Sequence, residues 1–75
     1  MISQSIDTRG LNCPLPILKA RCGMETLLSG QKLEVFSSDP GSFHDIDALC
    51  RSTGNTLLSS EDQIDGSYRF IIEIN

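Results

Sequence analysis

Asp65–Ile74, DGSYRFIIEI, decides how the chain folds. Asp65-Gly66 is a strong hairpin signal, because both residue types tolerate the positive φ that tight turns require. The residues that follow largely alternate. Tyr68, Phe70, Ile72 and Ile74 fall on one face, and Ser67, Arg69 and Glu73 on the other. That period of two, rich in aromatic and β-branched residues, is a half-buried strand. A strand that closes a hairpin runs antiparallel to the one before it. The preceding strand is therefore sought just upstream, and Asn55–Ser59 is the segment that fits.

Upstream, the period changes. From Pro14 to about Ser29, Ile17, Ala20, Met24, Leu27 and Leu28 recur with the spacing of an amphipathic helix, and Gly30 is placed to end it. Gln4–Thr8 reads as a short strand with Ile6 inward, and Arg9–Asn12 as a loop. Lys32–Ser37 is a second strand, with Leu33 and Val35 pointing one way. Ser38–Ser42 forms a turn into a second helix that reaches about Thr53 and stops at Gly54. Phe43, Ile46, Leu49, Cys50 and Thr53 share a face of that helix. Its start is either a Ser42/Asp45 capping box or Asp39 and Pro40 as N-cap and first helical residue. The order is β-α-β-α-β-β. A strand-helix-strand unit favours a right-handed parallel crossover, so the four-stranded sheet is mixed. The expected fold class is α+β, a two-layer α/β sandwich with both helices on one face. No repeat or linker divides residues 1–75, which form one domain.

Composition narrows the functions. A hydrophobic content of 39% with 21% charged residues fits a globular chain rather than a disordered one. No apolar run is long enough to span a bilayer, and residues 1–6 lack the basic and apolar regions of an export signal. A cytoplasmic protein without a membrane role is expected. The net charge of −4 disfavours direct nucleic-acid binding, which needs cationic surface. The three cysteines, Cys13, Cys22 and Cys50, are nine and twenty-eight residues apart, and there is one histidine. An odd count argues against a disulfide framework, and the spacing argues against a metal site.

Cys13 stands directly before Pro14-Leu15-Pro16. Proline suits the first turn of a helix, where its missing N–H is not needed. That reading makes Cys13 the N-cap, although serine, threonine, asparagine or aspartate would cap better. A thiol at a helix N-terminus gains from the local positive charge and the free N–H groups, so its pKa is expected to fall. The blander reading is a small apolar residue packed near the sheet. His44 lies on the other helix and reads as a solvated surface residue. Cys50 shares its stripe with Phe43 and Ile46 and reads as core. Leu15, Leu18 and Cys22 form a narrow apolar strip on the outer side of the first helix. The strip is either scattered surface residues or a docking surface, with Lys19 and Arg21 flanking it.

Gly10-Leu11-x-Cys13-Pro14-x-Pro16 resembles the CPxP motif of the TusA/SirA-like small sulfur-carrier proteins. Asp7-Thr8-Arg9-Gly10, Asp39-Pro40-Gly41-Ser42, Asp45-Ile46, Cys50-Arg51, Thr53-Gly54 and Tyr68-Arg69-Phe70 fit the same family, so the resemblance covers nearly the whole chain. It implies the same β-α-β-α-β-β sandwich. It also implies that Cys13 carries a transient persulfide between proteins, with no other cofactor and at most sulfurtransferase-type activity. The donor would be a cysteine desulfurase or a rhodanese-like protein. Acceptors in the family serve tRNA thiolation, molybdenum cofactor sulfuration and sulfur oxidation. Members that serve tRNA thiolation have an acidic residue between the prolines, where this chain has Leu15. The resemblance matches Asp39 to an aspartate of the second loop and Arg21 to a basic donor-docking position. With Leu15, Leu18 and Lys19 these are the candidate docking residues. A carrier is expected to be a monomer when free. The alternative is a thiol-based redox or regulatory interaction module built on the same Cys13. In a third reading, Cys13 only caps a helix in an interaction domain.

Overall fold

The computed structural model describes residues 1–75. The elements are β1 (Gln4–Asp7), α1 (Leu15–Glu25), β2 (Lys32–Ser37), α2 (Ser42–Thr53), β3 (Thr56–Asp62) and β4 (Tyr68–Glu73). They form one four-stranded sheet in the order β1-β2-β4-β3. β1 and β2 are parallel, and β4 runs antiparallel to both of its neighbours, β2 and β3. The mixed sheet and the α+β sandwich are as expected.

The last strand of the sequence is thus a central strand of the sheet. Val35 sits opposite Phe70 and Leu33 opposite Ile72. These four are fully buried, and Ala20 and Met24 of α1 pack on them with Ile46, Leu49 and Cys50 of α2 in one core. Ile71, on the other face of β4, is also buried. Phe36 lies on that same open face, with the Arg9 guanidinium 5.3 Å from its ring centre. Polar pairs cover the middle of it. Arg69 pairs there with Glu34 and Glu61, and Ser5 donates to Glu34.

Gly23 brings α1 against the sheet. A Cβ at that position would lie 2.5 Å from Ile6 Cδ1 and 3.3 Å from both δ-carbons of Leu33. Only a residue without a side chain allows the helix to sit this close.

Several boundaries differ from expectation. α1 ends at Glu25 rather than near Ser29. Thr26 turns its N–H and its hydroxyl onto the Gly23 carbonyl, and Leu28–Gln31 forms a separate turn. Gly30, at φ 87°, serves that turn instead of ending the helix. β3 runs on to Asp62, because the ladder with β4 continues to the Asp62–Tyr68 pair; a bulge at Leu58 shifts its register. The hairpin tip is a turn from Gln63 to Gly66, with Gly66 at φ 86° and Gln63 donating to the Ser67 carbonyl, which makes it a longer connection than a two-residue loop. α2 starts at Ser42 with Gly41 as its N-cap, not with a capping box or an Asp39 cap.

Candidate functional site

The site is built where two loops meet at the end of the parallel pair. The β1–α1 loop carries Cys13, and the β2–α2 loop carries Ser38 and Asp39. Gly10 donates its N–H to Ser38 Oγ at 2.8 Å. Cys13 donates its N–H to Asp39 Oδ2 at 3.1 Å. The other Asp39 oxygen accepts the Gly41 N–H at 3.0 Å. The Asp39 N–H donates to Ser37 Oγ, and the buried Ser37 and Ser42 hydroxyls are hydrogen-bonded to each other. One carboxylate therefore holds the backbone of Cys13 to the start of α2. Behind the loop, Arg9 pairs with Asp7 at 2.8 Å and Asp65 at 3.3 Å, tying the β1–α1 loop to the tip of the β3–β4 hairpin.

Cys13 is exposed at the end of α1. It is not the N-cap. Pro14 holds that position, and Leu18 donates to its carbonyl as the first helical bond. Asn12 accepts the Leu15 N–H across a turn whose central Cys13–Pro14 bond is cis. Cys13 thus stands one residue ahead of the cap.

That displacement overturns the expected acidity, which depends on free N–H groups at the helix start. Pro14 and Pro16 have none, and the N–H groups of Cys13, Leu15 and Leu18 donate to Asp39, Asn12 and Pro14. Ile17 is the only residue from 13 to 18 with an N–H outside these bonds. Acting against the thiolate are partial desolvation of the sulfur, then the Asp45 carboxylate that lines the same groove, then the charge of Asp39. Together they raise the Cys13 pKa above the ordinary thiol value.

Cys13 lines a groove between the helices together with Ile17, Arg21, Asp45, Leu49 and Ser52. This is where Arg21 lies. Leu15, Leu18, Lys19 and Cys22 line a different hollow, between α1 and the edge strand β1. At about 100° per residue, Lys19 and Arg21 fall on either side of the Leu15–Leu18–Cys22 strip; Lys19 shares its hollow, and Arg21 opens onto the groove beside Cys13. Leu15 and Leu18 are 46% and 51% exposed, and Cys22 beside them is exposed too. The apolar strip is therefore real and uncovered in the free chain.

His44 lies in a third hollow with Phe43, Asp47 and Leu57, apart from Cys13. Cys50 is 2% exposed in the core, and burial, with Asp47 as a lesser cause, pushes its thiol up to about 11. Asp45, which the sequence marks only as a capping-box candidate and by its fit to the motif, also lines the groove. Spacing alone gives no signal, since Cys13 and Asp45 meet only through the packing of α1 against α2.

Comparison with known proteins agrees with this geometry. Residues 4–74 match the family model described as sulfurtransferase TusA. The sulfur carrier protein TusA of Allochromatium vinosum is 46% identical over 70 residues, covering 93% of this chain and 91% of that protein. A putative sulfur carrier protein of Neisseria meningitidis is 38% identical, with 97% of each chain covered. The crystal structure of a SirA-like protein from Desulfitobacterium hafniense superposes with a TM-score of 0.85 over 93% of this chain, at 20% identity, and shares its fold. No helix is long and apolar enough to cross a membrane. A sulfur carrier interacts with a protein that gives sulfur and one that takes it. The chain belongs to the TusA family and is a sulfur carrier protein.

Proposed function

We propose that Cys13 is the carrying atom, and that the chain takes sulfane sulfur from a cysteine desulfurase or rhodanese-like donor and passes it to an acceptor protein. The observation that carries this reading is the exposure of the Cys13 sulfur on a backbone that Asp39 holds in place. Cys50 is buried, and Cys22 lies on the outer side of α1, away from the braced loops.

The chemistry is thiol–disulfide exchange at a persulfide. The Cys13 thiolate attacks the terminal sulfur of the donor's Cys–S–SH. A new S–S bond forms on Cys13 and the donor's own S–S bond breaks. The donor cysteine leaves as a thiolate, which takes up the proton that Cys13 gave up. No net oxidation occurs, so no further redox partner is needed. Delivery to the acceptor repeats the step in the other direction, with Cys13 as the leaving group. An exposed sulfur at the end of a helix lets two partners reach it in turn without a deep pocket. The open hollow along Leu15, Leu18 and Lys19 and the groove by Arg21 give each partner a different approach.

Radiolabelled sulfur tests the reading. A desulfurase supplied with labelled cysteine should place label on this chain, the label should come off with a thiol reductant, and Cys13→Ser should abolish it. Label that stays on Cys13→Ser, or none on the parent chain with either donor class, refutes the assignment.

A further inference from the structure

The sheet order β1-β2-β4-β3 leaves one side of β1 and one side of β3 unpaired. Ser3 donates its N–H to the Lys32 carbonyl. Backbone groups alternate in direction along a strand, so Ser3 and Ser5 face β2, while Gln4 and Ile6 turn their N–H and C=O groups to the free side. The two edges are defended differently. β3 carries a bulge at Leu58 and ends in Glu61 and Asp62, devices that discourage a further strand. β1 has no bulge, proline or lysine.

The surface above the free side of β1 is apolar. Gly23 sets α1 over Ile6, and Ile17 and Arg21 lie on the flank toward α2. The opposite flank, with Leu15, Leu18, Lys19 and Cys22, forms a hollow with Gln4 and Ile6 of β1. A fifth strand would lie about 4.8 Å beyond β1, beneath that flank. Every second side chain of it would then meet Leu15, Leu18 and Cys22. Lys19 is the one charged residue of the hollow; it is exposed and belongs to no ion pair.

Resting on the carrier reading above, we propose that the free side of β1 takes an extended segment of a protein that exchanges sulfur with Cys13. The segment adds as a fifth strand, with apolar side chains toward α1 and a carboxylate that meets Lys19. The backbone of Gln4 and Ile6 supplies hydrogen bonds, and alternate side chains in the hollow supply selectivity. Leu15 stands two residues from Cys13, so a strand seated here brings its owner beside the sulfur and leaves the groove by Arg21 open to a second partner.

Disulfide tethering at Cys22 tests this in the full chain with Cys13→Ser, where Cys22 is the one exposed thiol. The probe is a blocked octapeptide with valine, cysteine, valine and glutamate on one face and threonines on the other, supplied as its mixed disulfide with 2-mercaptoethanol. The Cys22 thiolate attacks the peptide sulfur, a new S–S bond forms, and 2-mercaptoethanol leaves as the thiolate and takes up the proton. Methylating every second amide of the peptide removes the N–H groups along one side of it. One phase of methylation should lower equilibrium capture at least about threefold and the other should not, because only one side pairs with β1. Gln4→Pro removes an outward N–H and no ladder bond, and should lower capture of the unmethylated peptide about as much. Lysine in place of the peptide glutamate should lower it as well. Circular dichroism and thermal melting confirm that each variant is folded. Equal capture of both methylated peptides, or capture unchanged in Gln4→Pro, overturns the proposal, because the hollow then holds side chains without a strand. Dimerisation of the chain that Gln4→Pro abolishes would assign the edge to a second copy and overturn it too. No readout depends on sulfur transfer, so a failure here is distinct from a failure of Cys13 to carry sulfur.

Discussion

Replacing Asp39 by alanine tests whether that carboxylate holds the site together or only meets a partner. As a docking residue it would contribute nothing to the stability of the free chain. In the structure it accepts two backbone N–H groups, from Cys13 at 3.1 Å and Gly41 at 3.0 Å. Each such bond is worth about 0.5–1.5 kcal/mol net, more when the acceptor is charged. Water reaches both N–H groups, which keeps each near the lower half of that range. Alanine should therefore cost about 1–2 kcal/mol. A domain of this size has roughly 4–11 kcal/mol in total, at ~0.05–0.15 kcal/mol per residue, so the loss is a large share. The melting temperature should fall by roughly 4–16 °C. The substitution Asp39→Asn keeps one acceptor oxygen of the two and should lose about half as much. Urea unfolding followed by circular dichroism gives the free energies, with Cys13→Ser as a control that leaves the backbone bond intact. If Asp39→Ala unfolds within about 0.3 kcal/mol of the parent, the brace contributes nothing and the account of the two loops fails.

Gly23→Ala should destabilise by about 1 kcal/mol in the same urea assay, because overpacking at ~1–3 kcal/mol outweighs a helix-propensity gain of about 1; Ile6→Val in the same chain should recover part of it, since Ile6 Cδ1 is the nearest atom. Leu18→Ser should leave stability within about 0.5 kcal/mol, as its side chain is half exposed, yet slow sulfur exchange with whichever partner uses the hollow along α1. In acid, Asp7, held down to about 2 by its bonds with Arg9, and Asp65, held low mainly by Ser67, gain stability above their ordinary pKa values. That stability is lost as pH falls from about 4 toward 2, and Arg9→Ala should flatten that limb of a pH–stability curve. In alkali, Cys50 keeps its proton in the folded state up to about 11, so the unfolded chain loses protons first. Stability should decline between about pH 9 and 11, and Cys50→Ala should make that slope shallower while costing core packing.

Much of this molecule is legible in its sequence, for reasons that differ by segment. β2 is read to the residue because Leu33 and Val35 alternate with charged neighbours, and the C-terminal end of α2 because Gly54 stops a clean apolar stripe. The tail of β3 is not legible. Ser60, Glu61 and Asp62 have no strand propensity, and they are ordered by the ladder that β4 offers them. The end of α1 is misread because Leu27 and Leu28 keep the helical period after the backbone has left the helix at Thr26.

At the site the motif names Cys13 correctly as the exposed thiol at the helix entrance, but not its acidity. The sequence shows two prolines and a helix start. It does not show that the prolines remove the very donors a thiolate would use, or that Asp45, thirty-two residues away, lines the same groove as Cys13. Lys19 and Arg21 flank the apolar strip as the sequence suggests, but open onto two different hollows in three dimensions. Asp39 reads as a docking charge and is found holding the backbone of the residue it was expected to serve.

Intact-mass measurement after incubation with a cysteine desulfurase and free cysteine tests the central claim most directly. The parent chain, Cys22→Ser and Cys50→Ser should each gain the mass of one sulfur atom, removable by reductant, and Cys13→Ser should gain none. A sulfur adduct that persists in Cys13→Ser, or moves with Cys22 or Cys50 instead, would contradict the account.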